Sequence, residues 1–118
     1  MKALSIFSII ITVLLYCSTS FAQAKKTEII KVWGNCEMCT AKIEKAAKSA
    51  GAATAKWDEE TKELSVSFTD KKTSSKKIQQ AIAKAGYDTQ DFTGDDKAYS
   101  KLPMCCQYDR KVIADNKE

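Results

Sequence analysis

The central segment of the chain reads Val32-Trp33-Gly34-Asn35-Cys36-Glu37-Met38-Cys39. Strand-forming residues precede it from position 27, a glycine interrupts them, and an amphipathic helix pattern follows over residues 40–49. The two cysteines therefore lie at the start of a helix, where free backbone N–H groups and the positive end of the helix dipole favour the thiolate. Because a thiolate both binds metal ions and attacks disulfides, the segment indicates either a metal site or a redox site.

Strand and helix patterns alternate through the rest of the chain. The predicted strands are residues 27–33, 53–57, 63–68 and 87–92, and the predicted helices are residues 40–50 and 75–85, each followed by a glycine. Ser74 or Ser75 is expected to cap the second helix. The order predicts an α+β, ferredoxin-like βαββαβ fold, in which two helices cover one face of a four-stranded antiparallel sheet.

The N-terminal segment has the pattern of a secretory signal peptide. An uncharged, mostly apolar run follows Lys2, and Ala22-Gln23-Ala24 supplies a cleavage signal. We expect cleavage after Ala24 and loss of Cys17 with the peptide. The predicted organisation is a signal peptide over residues 1–24, a folded domain over 25–93 and a C-terminal extension over 94–118. The predicted location is the periplasm, with secretion as the second choice, and no membrane span remains after cleavage.

The chain is only mildly basic. Its formal net charge is +4, and it falls by one unit when Lys2 is removed. A net charge of this size contributes to solubility and does not indicate binding to nucleic acid. The predicted third strand, residues 63–68, lacks the aromatic and basic pattern of RNA-binding sheets of the same fold. Nucleic acid is therefore not a predicted partner.

Four cysteines remain in the mature chain, and two of them are adjacent in the tail. Cys105 and Cys106 follow two predicted helical turns over residues 95–102, which Pro103 ends, and the charged residues beyond them are expected to fray. An even number of cysteines in a small exported protein first suggests disulfides. The chain has no histidine, so a metal site would use sulfur, carboxylate or backbone ligands.

The tail is long enough to return to the central segment. A six-residue strand spans roughly 20 Å, whereas eight helical residues cover about 12 Å and extended residues add roughly 3.3 Å each. We therefore predict that Cys105, Cys106 or both join Cys36 and Cys39. The alternative is that the adjacent pair forms a separate thiol site or a disulfide elsewhere.

Thiolate sulfur selects Cu(I), Zn(II) and similar thiophilic ions. Two sulfurs leave the coordination shell open to an incoming thiol, which suits an ion that is handed on, whereas four sulfurs suit a closed tetrahedral site. Met38 beside the helix start is interpreted as a packing residue rather than a thioether ligand.

Taken together, these residues resemble the heavy-metal-associated domain, the family of small copper chaperones, N-terminal modules of metal-transporting P-type ATPases and periplasmic mercury-binding proteins. The resemblance covers residues 27–93 and rests on Val32, Gly34, Cys36, Cys39, Ile43-Glu44 and Ala85-Gly86-Tyr87. It implies a metal-binding domain that uses the Cys36 and Cys39 thiolates, with Tyr87 near the metal loop. Gly34-Asn35-Cys36 is one residue shorter than the family pattern and lacks its methionine, and the tail with Cys105 and Cys106 lies outside the ordinary domain.

The sequence thus predicts an exported protein, not an enzyme, that sequesters or carries a thiophilic ion, with Cu(I) favoured over Hg(II) or Zn(II). Cys36 and Cys39 are the predicted primary ligands, and Cys105 and Cys106 are additional candidates. The expected partner is a metal-transporting ATPase or efflux component, reached by ligand exchange, and the expected state is a monomer or a metal-bridged dimer. The alternative is a small thiol–disulfide oxidoreductase using Cys36 and Cys39.

Overall fold

The computed structural model describes residues 25–111, so the predicted signal peptide and its cleavage site lie outside the described residues. In chain order the elements are β1 (Lys26–Lys31), α1 (Glu37–Ser49), β2 (Thr54–Asp58), β3 (Glu63–Phe68), α2 (Ser75–Lys84), α3 (Asp96–Ser100) and a 3-10 turn (Met104–Cys106). Three predicted strands and both predicted helices are present. Helix α1 begins at Glu37 rather than at residue 40, which places Cys39 inside its first turn.

The sheet has the order β1-β3-β2, and both strand pairs are antiparallel. Strand β3 lies in the centre and alternates as predicted, with Leu64, Val66 and Phe68 buried and the residues between them more exposed. Helices α1 and α2 pack on the buried face. The predicted α+β fold is confirmed, with three strands in place of four.

The predicted fourth strand, residues 87–92, is wrong as a strand, although the segment lies beside β1. A single antiparallel bridge joins Val32 to Thr89. Beyond it the segment turns back, because the Thr89 N–H donates to the carbonyl of Phe92 at 2.8 Å. The side-chain oxygen of Gln79 in α2 accepts hydrogen bonds from the Thr89 hydroxyl at 2.9 Å and from the Asp91 N–H at 3.1 Å. The Gln79 side chain thus provides hydrogen-bond partners that a longer pairing with β1 would have supplied. The pairing of this segment with β1 therefore ends after one bridge.

The two helices meet the sheet through narrow apolar stripes. Helix α1 buries Cys39, Ile43 and Ala47. Helix α2 buries both of its isoleucines, and the Ser74 hydroxyl caps it by accepting a hydrogen bond from the Lys77 N–H at 3.2 Å. Each buried isoleucine contributes about 1.5–3 kcal/mol. Large aromatic side chains complete this alanine-rich core, and several of them also border the site described below.

The C-terminal extension packs against the end of α2. Gly86 has a φ of +106°, and a Cβ there would lie 2.9 Å from the backbone nitrogen of Tyr99. A side chain at this position is therefore excluded both by the backbone conformation and by α3. This close approach directs the chain after α3 back towards the start of α1. No helix within residues 25–111 is long and apolar enough to cross a membrane.

Candidate metal centre

The loop before α1, residues 32–36, packs on the ring of Trp57. A Cβ at Gly34 would lie 2.8 Å from the Trp57 ring, so only glycine lets the loop approach the ring this closely. The Trp57 indole N–H donates to the Val32 carbonyl at 3.0 Å, and the Lys62 ammonium donates to the Gly34 carbonyl at 2.8 Å. Strand β2 and the β2–β3 turn therefore hold the loop. Sequence reasoning missed the role of both residues in holding the loop.

Cys36 and Cys39 lie at the start of α1 as predicted. Cys36 occupies the N-cap position with extended backbone, and Cys39 lies one turn further into the helix. Their sulfurs are 4.0 Å apart; Cys36 is half-buried and Cys39 is fully buried. The pKa of the Cys36 thiol is lowered, first by the Cys39 N–H and then by the Met38 N–H. These amides favour the thiolate, although the thiol makes no capping hydrogen bond.

The tail folds back and adds a third sulfur. Cys106 is fully buried, and its Sγ lies 4.0 Å from the Sγ of Cys36. The sulfurs of Cys36, Cys39 and Cys106 all lie within 4.8 Å of one another. They are free thiols, since a disulfide would join two of the sulfurs at about 2.05 Å.

The spacing of these three sulfurs is that of ligands around one ion. Thiolates bind a thiophilic ion such as zinc at about 2.3 Å, and three of them in a plane around it are then about 4.0 Å from one another. Two of the separations are 4.0 Å. The cluster can therefore close on a metal ion with small side-chain movements.

Cys105 is not part of this cluster. Its side chain is exposed, and its Sγ lies 3.5 Å from the thioether sulfur of Met38. Its carbonyl accepts hydrogen bonds from the Asn35 amide at 3.0 Å and from the Cys36 thiol at 3.4 Å. Of the four predicted ligands, the structure thus brings three together and places the fourth outside.

Tyr87 lies against the inner side of the cluster, where the family resemblance implied it. It is fully buried, and its hydroxyl has no hydrogen-bond partner within residues 25–111. The pKa of Tyr87 is raised well above its usual range, mainly by burial and then by Cys39 and Cys106. Its O–H is available as a donor to thiolate sulfur. Burial also raises the pKa of Cys106 to about 12, with Cys39 adding to the shift. An ion that binds Cys106 must therefore displace a proton.

Residues after the turn anchor the tail. Of the charged residues predicted to fray, Arg110 and Lys111 form hydrogen bonds, and residues 112–118 lie outside the described residues. The Tyr108 hydroxyl donates to the Gly86 carbonyl at 2.7 Å and accepts from the Asp88 N–H at 2.8 Å. Its ring stacks on that of Tyr87 at a centroid distance of 5.5 Å. This anchor lies only two residues beyond Cys106 and holds that thiol at the cluster.

A buried ion pair completes the anchor. The Asp88 carboxylate is 1% exposed and accepts from the Arg110 guanidinium at 2.7 and 3.1 Å, from the Gly94 N–H at 2.7 Å and from the Lys111 N–H at 3.1 Å. Burial alone would raise the pKa of Asp88, but the hydrogen bonds from Arg110 and the two backbone amides outweigh it and lower the pKa. Sequence reasoning missed this pair, although the tyrosines and Leu102 within the tail were a signal of packing there.

The fold and the sulfur cluster define a small α+β domain built around a thiol site. Residues 35–88 match the sequence model of the heavy-metal-associated domain, and the chain belongs to this family. Cys105 and Cys106 lie beyond the matched residues. Comparison with curated proteins gives no match.

Solved structures that share the fold include the following three. The CopZ metallochaperone is 30% identical with a TM-score of 0.52, and the match covers 54% of this chain and 98% of that one. Oxidized MerP from Ralstonia metallidurans CH34 is 33% identical with a TM-score of 0.53, covering 57% and 96%. A putative copper-ion-binding protein from Bacillus anthracis str. Ames is 25% identical with a TM-score of 0.54, covering 58% and 100%.

Proposed function

We propose that this protein is an exported carrier that holds one thiophilic metal ion through the thiolates of Cys36, Cys39 and Cys106. The observation that carries the proposal is the meeting of these three sulfurs within 4.8 Å at the start of α1. Two of the sulfurs come from the family motif, and the third comes from the tail. The protein acts by binding and release, not by catalysis.

Cu(I) is the favoured ion. Thiolates select soft ions, and the cluster offers three sulfurs, whereas structural zinc sites take four ligands in a tetrahedron. Hg(II) and then Zn(II) remain the competing cargoes. Two of the related structures, a metallochaperone and a putative copper-ion-binding protein, support a metal cargo, and the second supports copper as the first choice.

Release takes place by ligand exchange on the side of Cys36. Cys39 and Cys106 are fully buried, while Cys36 is half-buried, so an incoming thiolate reaches the ion past Cys36. The partner we propose is a metal-transporting ATPase or an efflux component. The proposed location is the periplasm, because residues 1–24 have the pattern of a cleaved signal peptide.

The test is anaerobic native mass spectrometry of the reduced protein, titrated with Cu(I), Hg(II) and Zn(II) and with a competing chelator present. Cys106→Ser should lower the affinity for the first metal ion. Removal of a residue that merely supports a ligand lowers metal affinity roughly 10- to 100-fold, and the loss here should be larger. The matched control is Met104→Leu in the same turn, because that side chain is 89% exposed. If Cys106→Ser and the control bind the ion with equal affinity, the protein is a carrier that uses only Cys36 and Cys39. If the protein binds none of the three ions, the proposal is refuted. The intact mass after export in a bacterial host tests removal of residues 1–24.

A thiol–disulfide oxidoreductase is the second candidate. Two observations favour it: the lowered pKa of Cys36 and its sulfur 4.0 Å from that of Cys39. The described sheet, however, has only antiparallel pairs and lacks the parallel βαβ core of thioredoxin. Turnover of a disulfide substrate that depends on both cysteines, with no metal retained, would favour this function.

A further inference from the structure

A second pair of sulfurs lies on the surface next to the cluster. The Sγ of Cys105 is 3.5 Å from the Sδ of Met38. Cys105 is exposed, and Met38 is 50% exposed on the first turn of α1. A thiol and a thioether therefore meet at the mouth of the site, although their residues are separated by most of the domain.

The 3-10 turn explains why adjacent cysteines do different things. Successive residues of a three-per-turn helix point about 120° apart. Within Met104–Cys106 the Cys106 side chain is fully buried among the inner sulfurs, while Cys105 faces outwards. Hydrogen bonds from Asn35 and Cys36 to the Cys105 carbonyl hold the turn in this orientation. The outer pair is thus positioned by the same contacts that close the inner cluster.

The donor set of the outer pair favours a soft ion, and its charge suits a monovalent one. Thiolate and thioether sulfur together select Cu(I). The thioether is neutral, so a complex of Cu(I) with one thiolate and one thioether carries no net charge and needs no compensating cation. Zinc sites in proteins use thiolate, imidazole and carboxylate ligands instead.

We propose that Cys105 and Met38 form an outer site that receives a cuprous ion from solution and passes it to Cys36, Cys39 and Cys106. The inference rests on the proposed function, because it presupposes the inner site. The ion enters as the Cys105 thiol releases its proton and both outer sulfurs bind. A bond from the metal to Cys36 then forms as the bond to Met38 breaks, and bonds to Cys39 and Cys106 form as the bond to Cys105 breaks. The three inner thiols release their protons to solvent, Cys105 regains one, and copper remains Cu(I) throughout.

The experiment is a titration with up to two equivalents of Ag(I), a redox-inert monovalent probe, under reducing, anaerobic conditions. Thiols and thioethers are observed separately. The protein is isolated in the form that cells accumulate and carries methionine labelled with carbon-13 at the methyl group. Thiol protection against alkylation, mapped residue by residue, reports each of the four cysteines, and the methyl resonances report the methionines. We expect the first equivalent to protect Cys36, Cys39 and Cys106, and the second to shift the Met38 methyl resonance and to protect Cys105.

Two variants and one control test the assignment. Met38→Leu and Cys105→Ser should each lose the second equivalent and fill the inner cluster more slowly, with the first equivalent still bound. Met104→Leu should keep both equivalents, since its side chain is 89% exposed beside the same turn. Because leucine closely matches methionine in volume, Met38→Leu should fold normally.

The outcomes separate this inference from the proposed function. Protection of the inner cysteines without any change at Met38 through two equivalents would overturn the outer site and leave the inner one. A Met38 shift of unchanged size in Cys105→Ser would also overturn it, because the methyl group would then report only a nearby bound ion. If Ag(I) protects none of the four cysteines, the metal function itself is refuted.

Discussion

Replacing Arg110 with methionine should open the tail without unfolding the domain. The Asp88 carboxylate is 1% exposed, and Arg110 provides two of the hydrogen bonds that it accepts. Removing one partner of a buried ion pair costs about 3–5 kcal/mol. Arg110 is 25% exposed, and the Gly94 and Lys111 amides stay on the carboxylate. We therefore expect a cost of about 2–3 kcal/mol.

The assay is the rate at which a thiol reagent modifies Cys106 in the metal-free protein, mapped by mass spectrometry. Cys106 is fully buried in the closed tail, so its modification depends on local opening. A loss of about 2–3 kcal/mol raises the open fraction, and with it the labelling rate, by about 30- to 150-fold.

Asp96→Asn is the matched control for this measurement. Asp96 binds the same guanidinium at 2.7 Å but is 90% exposed, and an exposed pair contributes at most about 1 kcal/mol. Its effect on labelling should therefore stay below about fivefold. Equal rates in Arg110→Met and Asp96→Asn would refute the conclusion that the Asp88–Arg110 pair holds the tail.

Further predictions concern the loop, the pH dependence and the proton balance. Gly34→Ala should lower the free energy of unfolding by about 1–3 kcal/mol, measured with denaturant, because the new methyl group meets the Trp57 ring at 2.8 Å. The folded pKa of Cys106, about 12, lies above that of the unfolded chain, so its contribution to stability is complete below about pH 8.5 and is lost as pH rises towards the folded value. Unfolding curves of the metal-free protein should show this decline, and Cys106→Ala should flatten it. Binding of one ion to the inner cluster at neutral pH should release more than two protons, counted calorimetrically in several buffers, whereas Cys106→Ser should release at most two.

Local patterns were sufficient for most of the fold. Strict alternation in β3 determines which face is buried, and the spacing of isoleucines in α2 determines which side of the helix meets it. The prediction of a fourth strand was wrong because side chains distant in the sequence decide how residues 87–92 pair. Gln79 in α2 provides the oxygen that binds Thr89 and Asp91, and no pattern within residues 87–92 contains that information.

The sequence by itself determined the motif and its chemistry: two cysteines at a helix start, an environment that favours thiolate, and a tail long enough to return. It did not determine which tail cysteine would turn inwards, since Cys105 and Cys106 are chemically identical and adjacent. Only the tertiary structure decided this, through the 3-10 turn and the contacts of Tyr108 and Arg110 with the segment that follows α2. These contacts join residues about twenty positions apart. Their free energy comes from burial and desolvation in the folded chain, which no local spacing encodes.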